Sequence, residues 1–246
     1  MPFTDRSFVI LGQVDSTNNY AMAKVHAGMA KHGDACFTSW QTAGKGQRGK
    51  EWQTGKGLNI ALSIILQPTI LKINEPFPLS AAIALASLTF FKFYGGKETT
   101  IKWPNDIYWR DRKAAGILIE NVFQGKEWLW SVVGIGININ QTKFEKEGAN
   151  PVSLKQITGK SFDLVMLAKH LCQCILEKAE TLLTNPFNDL MNEYNSNLYK
   201  KEKLVRLRKN NILFETLIKE VSLTGQLITV DATERQFDFG EVEWVG

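Results

Sequence analysis

Residues 41–52, Gln-Thr-Ala-Gly-Lys-Gly-Gln-Arg-Gly-Lys-Glu-Trp, set three glycines (Gly44, Gly46, Gly49) and three cations (Lys45, Arg48, Lys50) within seven positions. Glycine opens positive φ angles and lets the backbone approach a ligand closely. Successive N–H groups in such a loop form a concavity for anions, and the cationic side chains add full charge. The chemistry to expect is therefore closure over a phosphate or a carboxylate.

Three further stretches carry groups of the same kind. Asp15-Ser16-Thr17-Asn18 precedes a helical pattern, where small polar residues cap the helix and its N-terminal N–H groups can meet a ligand. Lys102-Trp103-Pro104-Asn105-Asp106 reads as a kinked turn, and Lys113 follows it at the mouth of a strand whose next residues, Ala114, Ala115 and Gly116, are small. Gly134-Ile135-Gly136-Ile137-Asn138 places two glycines and an amide inside a strand, a mark of close approach by a ligand. His26, His32 and His170 lie outside all four stretches, and the sequence holds no Ser–His–Asp or Cys–His set within them. Cations, amides, carboxylates and indoles suit electrostatic stabilisation of an anion, not nucleophilic catalysis.

Two common phosphate folds fail on the residues. Gly44 to Lys50 fits G-x-x-x-x-G-K, but Glu51 stands where a P-loop needs Ser or Thr, and the loop feeds a strand instead of a helix. Gly134 and Gly136 lack the third glycine and the following helix of a dinucleotide-binding turn.

The elements that must position these stretches are legible as patterns. Strands are expected over residues 7–14, 35–40, 58–66, 99–103, 107–109, 113–120, 128–133 and 134–139, with a hairpin tip at Asp111-Arg112. Residues 58–66 are apolar on both faces and belong at the centre of a sheet. Helices are expected over 19–30, 79–94 (stopped by Gly95-Gly96) and 164–183 (capped by Asp163), with a shorter one ending near 195. From 198 the pattern changes to short strands at 204–208, 212–222, 227–231, 236–239 and 241–245, which suggests a small β-barrel appended to the main domain. The fold class is α+β: a mixed sheet with flanking helices over residues 1–197 and a barrel over 198–246.

The totals are those of a globular protein. The chain has 246 residues, 44% hydrophobic and 22% charged, with a formal net charge of +4. That balance does not require nucleic acid; a basic groove for a small anion is enough. The basic run Lys200–Lys209 has no aromatic residue inside it to stack bases, so a solvated barrel edge is expected and no DNA partner. No signal peptide is visible, the apolar run 79–91 is short of the roughly 20 residues that span a bilayer, and no helix-turn-helix fits before residue 8. A cytoplasmic protein with no membrane partner is expected. Cys36, Cys172 and Cys174 have neither disulfide nor zinc spacing and read as reduced thiols.

Taken together, Asp15-Ser16-Thr17-Asn18, the glycine/basic loop ending in Trp52, Lys102-Trp103-Pro104-Asn105-Asp106 with Arg112-Lys113-Ala114-Ala115-Gly116-Ile117, and Val133-Gly134-Ile135-Gly136-Ile137-Asn138 resemble, in order and spacing, the biotin protein ligases. The resemblance covers nearly the whole chain. It implies a class II synthetase-like ligase domain with an SH3-like C-terminal barrel, the shorter class without the DNA-binding domain. It implies ATP-dependent attachment of biotin, through biotinyl-5′-AMP, to a lysine of a biotin carboxyl carrier domain in a carboxylase such as acetyl-CoA carboxylase, with Mg2+. Carried over by motif, Ser16, Thr17, Asn18, Gln41, Gly44, Lys45, Gly46, Lys113 and Gly116 would bind biotin. Gln47, Arg48, Lys50, Trp52, Asn105, Asp106 and Asn138 would bind ATP and the adenylate, with Trp52 on adenine. Lys113 and Arg48 would be catalytic, and Asp106 would sit near the magnesium or the incoming lysine.

Many members of that family carry arginine where this chain has Gln47, which supplies no charge. Either Arg48 and Lys50 compensate for the missing charge, or the adenylate is retained less tightly. Ligases or transferases of lipoate and octanoate resemble the chain more distantly, and a biotin sensor without ATP turnover is a rival of another class. Subunit pairing through an exposed sheet edge or through residues 134–140 is left open.

Overall fold

The computed structural model describes residues 7–69, 76–144, 150–182, 184 and 186–245. Its main sheet is built from β1 (Phe8–Leu11), β2 (Ala35–Thr38), β3 (Ile60–Leu66), β4 (Thr99–Lys102), β5 (Asp106–Trp109), β6 (Arg112–Gln124) and β7 (Glu127–Ile137). The strand order is β1-β2-β3-β7-β6-β5-β4. Within it β1 and β2 run parallel and the neighbours from β2 to β4 are antiparallel, so the sheet is mixed. The helices are α1 (Thr17–His26), α2 (Phe77–Gly95), α3 (Leu154–Thr158), α4 (Leu164–Thr181) and α5 (Phe187–Ser196).

Period-2 alternation divides the sheet into two faces. Phe37 of β2, Ile60, Leu62, Ile64 and Leu66 of β3, Val133, Ile135 and Ile137 of β7, and Ala115 and Ile117 of β6 pack with α2 and α4 into the main core. The residues between them face the other way. There Cys36, Ile65 and Val132 meet Ala21 and Val25 of α1 in a smaller cluster. The rest of that second face is where glycine, alanine and serine collect.

Several elements depart from their expected bounds. Thr17 and Asn18 belong to the first turn of α1, so the polar tetrapeptide runs into the helix instead of preceding it. Residues 128–133 and 134–139 form one strand, β7, because the glycines at 134 and 136 keep full ladder pairing on both sides. Helix α3 has no counterpart among the expected elements. Its capping box lies in the stretch after β7: Ser153 Oγ accepts from the Gln156 N–H at 3.2 Å, and Gln156 Oε1 accepts from the Ser153 N–H at 3.2 Å. Asp163 caps α4 as expected, its Oδ1 taking the Met166 N–H at 2.8 Å. Position 183, the expected end of α4, and much of the connection after β3 lie outside the described residues. Helix α2, at 19 residues, is longer than the run 79–91 and reaches spanning length and apolarity, but most of it is buried between the sheet and its neighbouring helices.

The C-terminal strands β8 (Leu204–Lys209), β9 (Ile212–Val221), β10 (Leu227–Val230), β11 (Glu234–Phe237) and β12 (Glu243–Val245) make a five-stranded antiparallel sheet of order β11-β10-β9-β8-β12. It is pinned to the main domain. Asn195 exchanges side-chain hydrogen bonds with both backbone groups of Val221, at 2.9 and 2.7 Å. The Trp103 indole donates to Gly225 O at 2.9 Å. The basic run is matched by acids: Lys200 pairs with Asp111 at 2.6 Å and Lys209 with Glu241 at 3.0 Å, which fits a solvated edge.

Phe91 is fully buried in the main core beneath the sheet. Phe91→Ala leaves a cavity and should lower unfolding free energy by about 3–5 kcal/mol, read as a reduced urea midpoint at unchanged m-value.

Candidate active site

Strand register builds the floor of the site. Ala61 pairs with Gly136, Gly136 with Gly116, and Gly116 with Asp106, giving a row of minimal side chains across β3, β7, β6 and β5 that ends in a carboxylate. The next row on the same face is Ser63, Gly134 and Leu118, and the one after it is Ile65, Val132 and Glu120. The trough exists because no side chain rises from two adjacent strands.

Its closed end is polar. Ser16 is the N-cap of α1, buried, yet its hydroxyl makes no capping bond. Gln41 supplies that partner instead: its Oε1 accepts from the Thr17 N–H at 2.8 Å and from Thr17 Oγ1 at 3.2 Å. Ser63 Oγ lies 2.8 Å from Thr17 Oγ1 and donates to Asn18 Oδ1 at 2.6 Å. Asn18 Nδ2 donates to Glu120 Oε2 at 2.7 Å. A Cβ at Gly134 would stand 2.2 Å from Asn18 Oδ1, so glycine is what lets this amide lie on the sheet.

The open end carries charge. Lys113 Nζ sits 2.7 Å from Asp106 Oδ1, and both side chains are mostly buried. The contact is a charge pair and not a well-directed hydrogen bond, since the same oxygen makes no bond of good angle. Each partner offsets the cost of burying the other. Lys102, two strands away, lies within 5.4 Å of the ring centroids of Tyr108, Tyr199 and Trp244, a cage drawn from both sheets. Burial pushes its ammonium down to about 8, with Asp106 opposing the shift.

The glycine/basic loop folds over the trough. Trp52 N–H bonds Gly44 O at 2.9 Å and Gly46 N–H bonds Lys50 O at 2.7 Å, with a 3-10 turn over Gln47–Gly49 and Arg48 at φ 56°. The Trp52 indole lies on the glycine row: a Cβ at Gly136 would be 2.2 Å from it, and one at Gly116 would be 3.2 Å away. Its Nε1 is buried without a hydrogen-bond partner. Lys45 Nζ reaches Glu120 Oε1 at 3.8 Å. Gln47 Nε2 donates to Ile117 O at 3.4 Å.

Of the residues singled out in the sequence, Ser16, Thr17, Asn18 and Gln41 gather at the polar end. Gly116, Trp52, Asp106 and Lys113 gather at the charged end, and Gly44, Lys45, Gly46 and Gln47 roof the space between. Asn105 and Asn138 each bond the backbone of β6: Asn105 Nδ2 donates to Ile117 O at 2.6 Å and Asn138 Nδ2 to Lys113 O at 3.4 Å. Arg48 reaches the C-terminal sheet. It donates to Gly240 O at 3.0 Å and lies 5.7 Å from the Phe239 ring centroid on the C-terminal sheet. Lys50 is exposed. Two contributors stand outside the motifs, Ser63 and Glu120. The sequence holds a signal for both: a lone hydroxyl inside an apolar central strand, and a carboxylate closing one.

No group of three metal-ligating side chains occurs among the described residues. Magnesium commonly takes one or two carboxylates plus substrate phosphates, so Asp106 alone is a sufficient protein contribution. Cys36 Sγ donates to Thr17 O at 3.5 Å beneath the polar end, and burial pushes its thiol up to about 12 and that of Cys174 up to about 11.

The arrangement is a row of small residues between a polar end and a charged end, beneath a basic flap. The chain belongs to the Biotin/lipoate A/B protein ligase family, whose profile matches residues 11–138, just over half of it. It is 35% identical over 147 residues to the bifunctional ligase/repressor BirA of Escherichia coli, covering 58% of this chain and 44% of that one. It is 32% identical over 160 residues to the biotin--[acetyl-CoA-carboxylase] ligase of Paracoccus denitrificans, covering 63% and 65%. The chain spans about half the length of the curated relatives it matches first. In structure it is similar to the biotin protein ligase of Aquifex aeolicus in complex with biotin and ATP, with a TM-score of 0.81 at 22% identity over 96% of this chain and 97% of that one.

The Lys102 cage has a measurable consequence. A lysine whose folded pKa is lowered releases its proton before the unfolded chain does, so the unfolded state binds more protons between the two values and stability rises with pH there. Relative to Lys102→Met, the wild-type urea midpoint should rise from pH 8 toward pH 10, a window set by the folded value of about 8 and the ordinary value of 10.5. Parallel midpoints across that range would refute the assignment.

Proposed function

We propose that the protein is a biotin protein ligase: it joins biotin to ATP as biotinyl-5′-AMP and transfers the acyl group to a carrier lysine. The observation that carries this reading is the row of small residues that links a polar end at Thr17, Asn18 and Gln41, backed by Glu120, to the Lys113–Asp106 pair. A ligand with a hydrogen-bonding head and a carboxylate tail matches that polarity from end to end.

In the first step an oxygen of the biotin carboxylate attacks the α-phosphorus, the bond to the β-phosphate oxygen breaks, and pyrophosphate leaves. Lys113 stands where two anions must meet, and its flexible stem lets one ammonium follow the charge from carboxylate to phosphate oxygen. Asp106 orients that ammonium and, with the phosphates, would hold magnesium, which supplies further charge neutralisation. Arg48 and Lys50 would take the phosphates once the flap leaves Gly240, and Trp52 would then stack on adenine. In the second step the uncharged amine of the acceptor lysine attacks the acyl carbonyl, an amide forms, and AMP leaves with the bonding electrons. The flap keeps water from the mixed anhydride in the interval.

The acceptor in this reading is a biotin carboxyl carrier domain, as the names of the relatives suggest for those proteins, and the reaction takes place in the cytoplasm. The C-terminal sheet, from residue 198 on, serves as an SH3-like module that supports the flap. Lipoate is the second reading, because the family name spans both acids. A dithiolane ring offers no N–H or carbonyl to the Thr17–Gln41 end, which favours biotin.

Lys113→Ala should reduce pyrophosphate release on addition of biotin and ATP by at least about 10²-fold, with the circular dichroism melt little changed. Near-normal release would sink the reading, and saturable lipoate binding without biotin binding would replace it. Gln47→Arg should slow release of the acyl-adenylate and reduce stray labelling of unrelated proteins; equal rates in both proteins would refute the role given to Gln47.

A further inference from the structure

We propose that Glu120 is a positioning residue that sets the direction of the hydrogen-bond chain under the ligand head and tethers the flap above it. The proposal rests on the biotin reading for its first half only. An ionised carboxylate accepts and never donates. Asn18 must therefore turn its NH2 toward Glu120 Oε2, 2.7 Å away, and its Oδ1 toward Ser63. Oδ1 accepts only, so the single Ser63 proton goes to it across 2.6 Å. Ser63 then has no proton for Thr17, 2.8 Å distant, and the Thr17 hydroxyl gives its own proton to Ser63 or to Gln41 Oε1. Either way Thr17 Oγ1 receives no proton from Ser63 and keeps its lone pairs. Asn18, Ser63 and Thr17 thus take one polarity from one charge, and with Gln41 Oε1 they form a wall rich in acceptors for N–H groups. A cyclic urea supplies such donors and a dithiolane does not.

The other oxygen of the same carboxylate faces the flap. Lys45 Nζ approaches Glu120 Oε1 at 3.8 Å from between Gly44 and Gly46. Glu120 is thus the side chain shared by the floor and the roof of this end, and Gly134, paired with Leu118 two residues before it, leaves the space through which Asn18 reaches it.

A swap of the two partners separates positioning from bulk structure. Glu120→Gln removes the rule that orients Asn18, and Asn18→Asp sets two carboxylates together. The double variant restores a donor facing an acceptor in reverse, and the carboxylate then at position 18 can still take the Ser63 proton. Each single variant should raise KM for biotin about tenfold or more while kcat changes by less than about threefold, as expected for a hydrogen bond to a charged group. The double variant should return to within about threefold of wild type. Trypsin cleavage after Arg48 and Lys50, measured without ligands, should be about two- to fivefold faster in Glu120→Gln, in the double variant and in Lys45→Met, because the flap loses its charged partner in all three. A double variant as impaired as the worse single, or an unchanged biotin KM in Glu120→Gln, would overturn the positioning role. Equal cleavage rates in wild type and Glu120→Gln would overturn the tether. Absence of pyrophosphate release from the wild type would overturn the ligase reading and the directional role together, whereas the trypsin arm would still decide the tether.

Discussion

Everything in this molecule depends on one constraint of β structure: a strand that buries one row of side chains must present the alternate row to the opposite face. The helical layer claims the larger row. Ile60, Leu62 and Ile64, with Val133, Ile135 and Ile137, fill the core under α2 and α4. The opposite rows are then free to be almost empty, and residues 61, 116 and 136 fall in line only because β3, β6 and β7 are held in one register. A slip by a single residue would carry isoleucines into the trough and glycines into the core. The hydrophobic core and the ligand floor are two readings of the same alignment, so stability of the one protects the shape of the other.

Onto that floor the structure sets two kinds of polarity. At one end a buried chain of amides and hydroxyls is saturated by its own members and by Glu120. At the other a lysine and an aspartate neutralise each other at 2.7 Å. Unpaired buried groups are costly, and both arrangements limit that cost while keeping the groups available for exchange. The flap adds further cations from outside the sheet, with Lys45 beside Glu120, Arg48 on Gly240 O and Lys50 exposed.

The local chemistry is plain from the residues. The glycine/basic loop, the polar turn before α1, the Lys113 strand mouth and the paired glycines of β7 all mark the site, and the helices and most strands follow from periodicity. Direction is not legible. Nothing in the spacing of Arg48 tells that its guanidinium lies against Gly240 and Phe239, because that contact spans 192 positions and depends on where the second sheet docks. That Asn105 and Asn138 each donate to the backbone of β6 is decided by strand pairing and not by residue type. Ser63 and Glu120 give only a signal of type: a polar residue in a strand acquires its role once its neighbours across the ladder are known. Helix α3 escapes a periodic reading because five residues are too few to show a period.

The indole of Trp52 carries a further consequence. It rests on Gly136 and Gly116 with its N–H buried and unanswered. Any guest of the glycine row must first evict this resident, so the chain acts as its own intramolecular competitor. The affinity measured for such a guest is the intrinsic affinity reduced by the fraction of molecules in which the seat stands vacant. Tightening the flap in its present pose would therefore weaken binding, and loosening it would strengthen entry while surrendering what has entered.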